Sequence, residues 1–157
     1  MTHDPHHGRF VVVPASYVFL LRGEGDDTEV LLQLRTNTGY MDDHWAAAAA
    51  GHVERGETAV DAARREALEE VGVTDLDLTF VTAMQRTRHE LPIDERIDFF
   101  FTARSWTGEP RILEAAKAAE LRWCRLADLP DPVVPHERAV LEGLRTGTTT
   151  AYSTFGF

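Results

Sequence analysis

Between Gly51 and Val73 the chain reads GHVERGETAVDAARREALEEVGV, and this stretch limits what the protein can be more than any other. Val60, Ala63, Ala67 and Val71 recur at spacings of three and four, which predicts a helix with one apolar face. Thr58 is placed to cap its N-terminus, with Asp61 in the first turn. Gly72 is placed to end it in a left-handed conformation. Glu66, Glu69 and Glu70 stand at i, i+3 and i+4, so their side chains share one face with Cβ atoms roughly 5–6 Å apart. Like charges at this spacing cost a few tenths of a kcal/mol per pair in a bare helix. A divalent cation reverses that sign, because hard cations prefer carboxylate oxygens. Taken alone, RREALEE reads as a solvated charged face with Arg65 and Glu69 as an i,i+4 pair. The longer spacing decides otherwise.

Gly51 is followed after five residues by Glu57 and after seven more by Arg65-Glu66. Apolar Ala67, one residue, Glu69-Glu70, one residue, Gly72 and apolar Val73 complete the pattern. With ordinary residue usage a match at one chosen start arises by chance with a frequency on the order of 10⁻⁷. The stretch resembles the Nudix box, with every fixed residue type in place. That resemblance implies a loop–helix–loop holding Mg²⁺ or Mn²⁺. Glu66, Glu69, Glu70 and the Gly51 carbonyl would be its ligands, and Arg65 and Glu57 would orient the carboxylates through ion pairs. In similar enzymes a further glutamate from a downstream loop acts as ligand or general base. Glu114, four residues beyond Pro110 of the GEP turn, matches that pattern best, and Glu120 is the second choice. The segment before the box departs from the commonest family pattern. His44-Trp45 leads into five alanines, Ala46 to Ala50, where a proline and a glycine usually precede the residue matching Gly51.

Length and charge bound the rest. At 157 residues the chain suits one compact domain over residues 10–157 behind a polar leader, residues 1–9, that carries His3, His6 and His7. The formal charge is −10, from 16 basic and 26 acidic residues. This argues against a long nucleic-acid partner, which needs an extended basic surface. A nucleotide remains compatible, because a bound metal cancels local negative charge. Cys124 is the only cysteine, so neither an intramolecular disulfide nor a cysteine metal cluster is expected. No secretory signal and no long apolar run stand out. A reducing, cytoplasmic setting is the simplest expectation, and a homodimer is compatible with the resemblance.

Along the chain, residues 10–13 and 15–22 read as strands split by Pro14, residues 23–27 as a turn, and residues 29–35 as the returning strand of a hairpin. The alanine run is read as strand, because a helix there would leave little room for the glycine turn. Residues 76–88 contain a strand, residues 96–103 (RIDFFFTA) form an apolar, central one, and residues 121–126 a short one. Residues 136–145 form a closing helix with Val140, Leu141 and Leu144 on its apolar face. The final TGTTTAYSTFGF shows no clear periodicity, and its aromatics could pack back onto the domain or against a second subunit. The order predicts an α/β fold of the α+β kind, a mixed β-sheet flanked by helices. It resembles the Nudix α/β/α sandwich.

A diphosphate repels an attacking water unless its charge is neutralised, and a metal does this while lowering the water's pKa. The resemblance therefore implies a pyrophosphohydrolase acting on a nucleoside diphosphate linked to a further group. A nucleoside triphosphate or modified nucleotide is the first expectation; ADP-ribose and nucleotide sugars are the alternative. Arg35 and Arg96 are candidate phosphate or base contacts, and Tyr40, Trp45 and Phe99 candidate stacking groups. His52 and His89 read as structural or surface histidines. A non-catalytic nucleotide sensor on the same fold is disfavoured by the intact carboxylate set. A prenyl-diphosphate isomerase is disfavoured because Cys124 is expected to face the core.

Overall fold

A computed structural model describes residues 7–157, so the expectation for His3 and His6 falls outside the described residues. The longest buried strand, β1 (Val13–Arg22), is covered on both sides. Tyr17, Phe19 and Leu21 join one core cluster and Val18 and Leu20 the other, as the two-residue period of a strand requires. β1 runs parallel to β6 (Arg96–Ala103) over their full pairing, from Val13 opposite Arg96 to Leu20 opposite Ala103. β6 is antiparallel to β5 (Leu78–Arg86), which is parallel to the C-terminal strand β8 (Tyr152–Phe155).

The other edge of β1 is divided. Its first half pairs antiparallel with β4 (Ala49–His52), and its last residues form the expected hairpin with β2 (Glu29–Arg35). β2 continues past β1 to pair with β3 (Trp45–Ala47) on one side and β7 (Ala118–Arg125) on the other. Helix α1 (Ala59–Val71) packs on β1 and β4 over one core cluster. Helix α2 (Pro135–Thr146) covers the opposite cluster through Val140 and Leu141. A mixed sheet with a helix on each face is the architecture the element order predicts.

Several local expectations need correction. Pro14 does not split a strand: β1 begins at Val13 and runs through it, and residues 10–12 are not strand. A proline is tolerated this close to a strand's start, and its carbonyl still accepts from the Val53 N–H at 2.9 Å. Val60 is 40% exposed, while Ala62 is buried in its place beside Ala63, Ala67 and Val71. The chain does not close on α2, because the last residues add β8 to the sheet. Phe155 packs on the main core cluster and Tyr152 stays exposed. The tail carries no period long enough to read because β8 has only four residues. The alanine run is extended, as expected, but it is divided at Ala48 between β3 and β4.

Candidate active site

Helix α1 begins and ends as its sequence dictates. The Thr58 side chain accepts from the Asp61 N–H at 3.0 Å, and Gly72 closes the helix at φ 72°. Between these caps the three glutamates face an outer cavity of about 530 Å³, together with Gly51, Glu54, Arg65 and Glu114. Arg65 is its organiser. Its Nε and Nη2 donate to the two Glu57 oxygens at 2.8 and 3.1 Å, Nη1 donates to Glu66 at 2.7 Å and Glu69 at 3.2 Å, and Nη2 also reaches the His52 carbonyl at 3.1 Å. This fork ties the loop before α1 to the carboxylate face. It holds the Glu57 carboxyl below its ordinary range.

Glu70 turns inward. One oxygen accepts from the Ala50 N–H at 2.6 Å. Burial, with Glu66 and Glu114 nearby, raises its pKa to about 8 against the pull of that bond. Glu66 is also raised, again by burial first. A cation at the carboxylates would remove this penalty.

The walls fit such a cation. A Cβ built on Gly51 would overlap the Glu66 carboxylate, so only glycine lets the backbone and that carboxylate meet. The donors lining the cavity are oxygens, with neither thiol nor imidazole among them, the set a hard divalent cation prefers. Among the described residues no three acidic, histidine or cysteine side chains already stand at metal-ligand spacing. Arg65 holds Glu66 and Glu69, while Ala50 holds Glu70.

An inner cavity of about 490 Å³ adjoins the first, and both are lined by Gln33, Arg35, Ala50, Gly51 and Glu70. Ala15, Ala46, Ala47 and Ala50 form a wall of small residues, while Leu91 and Ile93 stand at the rim, 60% and 46% exposed. Beneath lies a buried charge cluster. Asp98, fully buried, accepts from Arg86 at 2.7 Å and lies 3.7 Å from the Arg96 Nε. His136 sits 3.2 Å from the Tyr17 hydroxyl, and burial keeps it neutral by pushing its pKa well down.

The structure brings Arg65, Glu66, Glu69, Glu70, Gly51 and Glu114 to the outer cavity, with Lys117 beside Glu114, while Glu57 lies behind Arg65 and touches the cavity only through it. It places Arg35, Tyr40 and Arg96 at the inner cavity. Two expected stacking groups lie elsewhere. Trp45 is a core residue whose ring lies 4.5 Å from the Arg122 guanidinium. Phe99 points to the α1 face of the sheet, away from the inner cavity, because it alternates with Asp98. Glu120 pairs with Arg122 on β7 and lines neither cavity.

Arg86, His136 and Glu137 were not legible as site residues. The one available signal was Asp98: a charge inside an apolar central strand must find a buried partner.

The profile of the NUDIX domain matches residues 12–144, and the chain belongs to that family. It is a Nudix hydrolase of the MutT type, a class of pyrophosphohydrolases that act on phosphorus-containing anhydrides. The chain is 33% identical over 86 residues to an 8-oxo-dGTP diphosphatase of Buchnera aphidicola, spanning 55% of this chain and 67% of the relative. Among solved structures, a MutT NUDIX hydrolase from Burkholderia pseudomallei superposes with a TM-score of 0.71 at 25% identity, covering 84% of this chain and 97% of that one. The NUDIX domain of Shewanella oneidensis NrtR, solved with ADP ribose, superposes with a TM-score of 0.72 at 17% identity over 92% and 93% of the two chains. At that identity it speaks for the fold alone.

Proposed function

We propose that the chain hydrolyses the diphosphate of a nucleoside triphosphate or modified nucleotide, with Mg²⁺ or Mn²⁺ held by Glu66, Glu69, Glu70, Glu114 and the Gly51 carbonyl. The observation that carries this reading is the sharing of Glu70, Gly51 and Arg35 by the acidic outer cavity and the inner one. A diphosphate across that junction has its charged end at the carboxylates and its organic end between the sheet and the rim. The cation supplies charge neutralisation and a lower pKa for the attacking water.

The protein's own groups do the rest. Arg65 and Glu57 fix the Glu66 and Glu69 side chains. The Ala50 N–H fixes Glu70, leaving its second oxygen for the cation or the water. Glu114, half-exposed with Lys117 at 3.9 Å, is placed to orient or deprotonate the water. Among the described residues Arg35 has no carboxylate partner: it donates to the Tyr40 carbonyl at 2.9 Å and the Thr38 hydroxyl at 3.0 Å. Its remaining donors suit a phosphate. Water adds to phosphorus, the bridging P–O bond breaks, and the products are a nucleoside monophosphate and pyrophosphate, or phosphate on the other group.

The Buchnera relative's name, an 8-oxo-dGTP diphosphatase, favours a nucleoside triphosphate over ADP-ribose and nucleotide sugars. A cytoplasmic setting belongs to this reading, in keeping with the free, buried Cys124 thiol. The test is a phosphate-release screen over NTPs, oxidised dNTPs, ADP-ribose and nucleotide sugars, with pyrophosphatase and phosphatase as coupling enzymes and Glu70→Gln alongside. Turnover of one class that is lost in Glu70→Gln supports the proposal. Metal-dependent nucleotide binding with no turnover would replace it with a sensor.

A further inference from the structure

Lys117 is the only lysine among the chain's 16 basic residues, and the proposed hydrolysis gives it no task. It precedes β7 on the same turn as Glu114. Its N–H donates to the Glu114 carbonyl at 2.9 Å, and its carbonyl accepts from the Thr36 N–H, also at 2.9 Å. The backbone is thus fastened to the end of β2, while the side chain is 66% exposed. Lys117 lines the outer cavity and not the inner one.

Among the described residues, three cations line the outer cavity: Arg35, Arg65 and Lys117. Arg65 is committed to Glu57, Glu66, Glu69 and the His52 carbonyl. Arg35 stands at the junction with the inner cavity, held by Tyr40 and Thr38. Lys117 has one carboxylate neighbour, Glu114 at 3.9 Å, which is longer than a hydrogen bond. An exposed pair of that length is weak, so the ammonium can turn to a stronger anion. The side of the outer cavity that the inner one does not share is otherwise acidic, with Glu54, Glu66, Glu69 and Glu114. A phosphate chain running from the junction into this side carries its last phosphate past the carboxylates, where it needs a cation within reach. A lysine ammonium is a compact charge on a flexible stem, suited to a phosphate that is held and then released.

We infer that Lys117 Nζ donates to the terminal phosphate of the bound nucleotide, so the site prefers a triphosphate to the diphosphate of the same nucleoside. The inference rests on the proposed function for the direction of the phosphate chain, with the organic end in the inner cavity. A diphosphate spans the junction but ends short of Lys117, and leaves it on Glu114.

The test has two arms, both on the full chain with Mg²⁺. In the first, acetic anhydride labels Lys117, the only side-chain amine, with the chain's α-amine as internal reference and mass spectrometry as readout. The probes are dGTP and dGDP analogues with methylene groups in place of the bridging oxygens, which water does not cleave, each added at the concentration where calorimetry shows saturation. The triphosphate analogue is expected to slow labelling of Lys117 about 10-fold, the lower end for a hydrogen bond between charged groups, and the diphosphate analogue to leave it unchanged. In the second, Lys117→Met should lower kcat/KM for dGTP about 10-fold and leave dGDP within about twofold, with Lys117→Arg restoring part of the loss. A structural role would lower both substrates together. Equal protection by the two analogues, no protection, or an equal loss for dGTP and dGDP in Lys117→Met overturns the inference. The two readings fail separately. Selective protection without turnover removes only the hydrolase, and turnover whose triphosphate preference ignores Lys117 removes only this inference.

Discussion

The outer cavity takes its carboxylates from one helix: Glu66, Glu69 and Glu70 leave α1 within five residues, and Arg65 from the same turn holds two of them. The inner cavity takes its charged and polar groups one or two at a time from distant places, among them Gln33 and Arg35 from β2, Arg86 from β5, Arg96 from β6, and His136 and Glu137 from α2. The first is partly open, with Glu69 half-exposed and Arg65 holding Glu66 and Glu69, while burial beside Glu66 and Glu114 raises the pKa of the inward Glu70. In the second, Asp98 and Arg86 are sealed together, so each is stable only while the other is present. Charges near water are free to serve chemistry, whereas charges beneath the sheet also hold the fold together.

This contrast can be broken by experiment. The largest effect should be on catalysis. Glu70→Gln is expected to lower kcat by about 10²–10³-fold, the scale of losing one charge-stabilising group, without lowering the urea midpoint. Loss of stability in that variant would erase the distinction between the cavities.

Asp98→Asn should do the reverse. It leaves Arg86 and Arg96 without their shared counter-charge and should cost about 3–5 kcal/mol in urea unfolding. A well-folded Asp98→Asn protein with ordinary stability would show that the inner cluster is not structural.

Glu137 carries a pH signature. Its carboxyl titrates near pH 7 in the folded chain and about 4.5 in the unfolded one, so between these values the folded state binds the extra proton. Stability therefore falls as pH rises from about 4.5 to 7, by on the order of 3 kcal/mol for this group. Glu137→Gln should flatten that fall relative to the wild type in urea titrations across the window. An identical pH profile in the two proteins would mean that the carboxyl is better solvated than its burial implies.

Glu57→Gln should loosen Arg65 without removing a proposed ligand. Activity is expected to fall about 10- to 100-fold, as for groups that orient metal ligands, and higher Mg²⁺ should recover part of it. Lack of any Mg²⁺ dependence in the defect would deny Glu57 a positioning role. The smallest effect belongs to Thr58→Ala, which should cost about 1 kcal/mol of stability through the lost cap, with kcat nearly unchanged.

The sequence showed α1 clearly because every signal there is local. Cap, period, carboxylate spacing and terminating glycine all lie within one helix and its flanks, and the Arg65–Glu57 pair spans only eight residues. The hairpin of β1 and β2 and the central strand β6 were legible for the same reason. Val60 was misplaced because spacings of three and four define a face only to within a residue, and the orientation of α1 on β1 and β4 selected Ala62 instead. β8 was missed because its four residues are held by pairing with β5, some seventy residues earlier.

Trp45 and Phe99 were misread because an aromatic residue near a site has no local mark of the side it faces. For Phe99 the parallel register of β1 and β6 decided it, and for Trp45 the core between β2 and α2. By itself the sequence determined the family and the carboxylate face of α1, because these depend on spacing along one helix. Only the tertiary structure joined that face to a second cavity floored by Arg86, Arg96, His136 and Glu137, because those residues meet through strand pairing and helix packing across long separations.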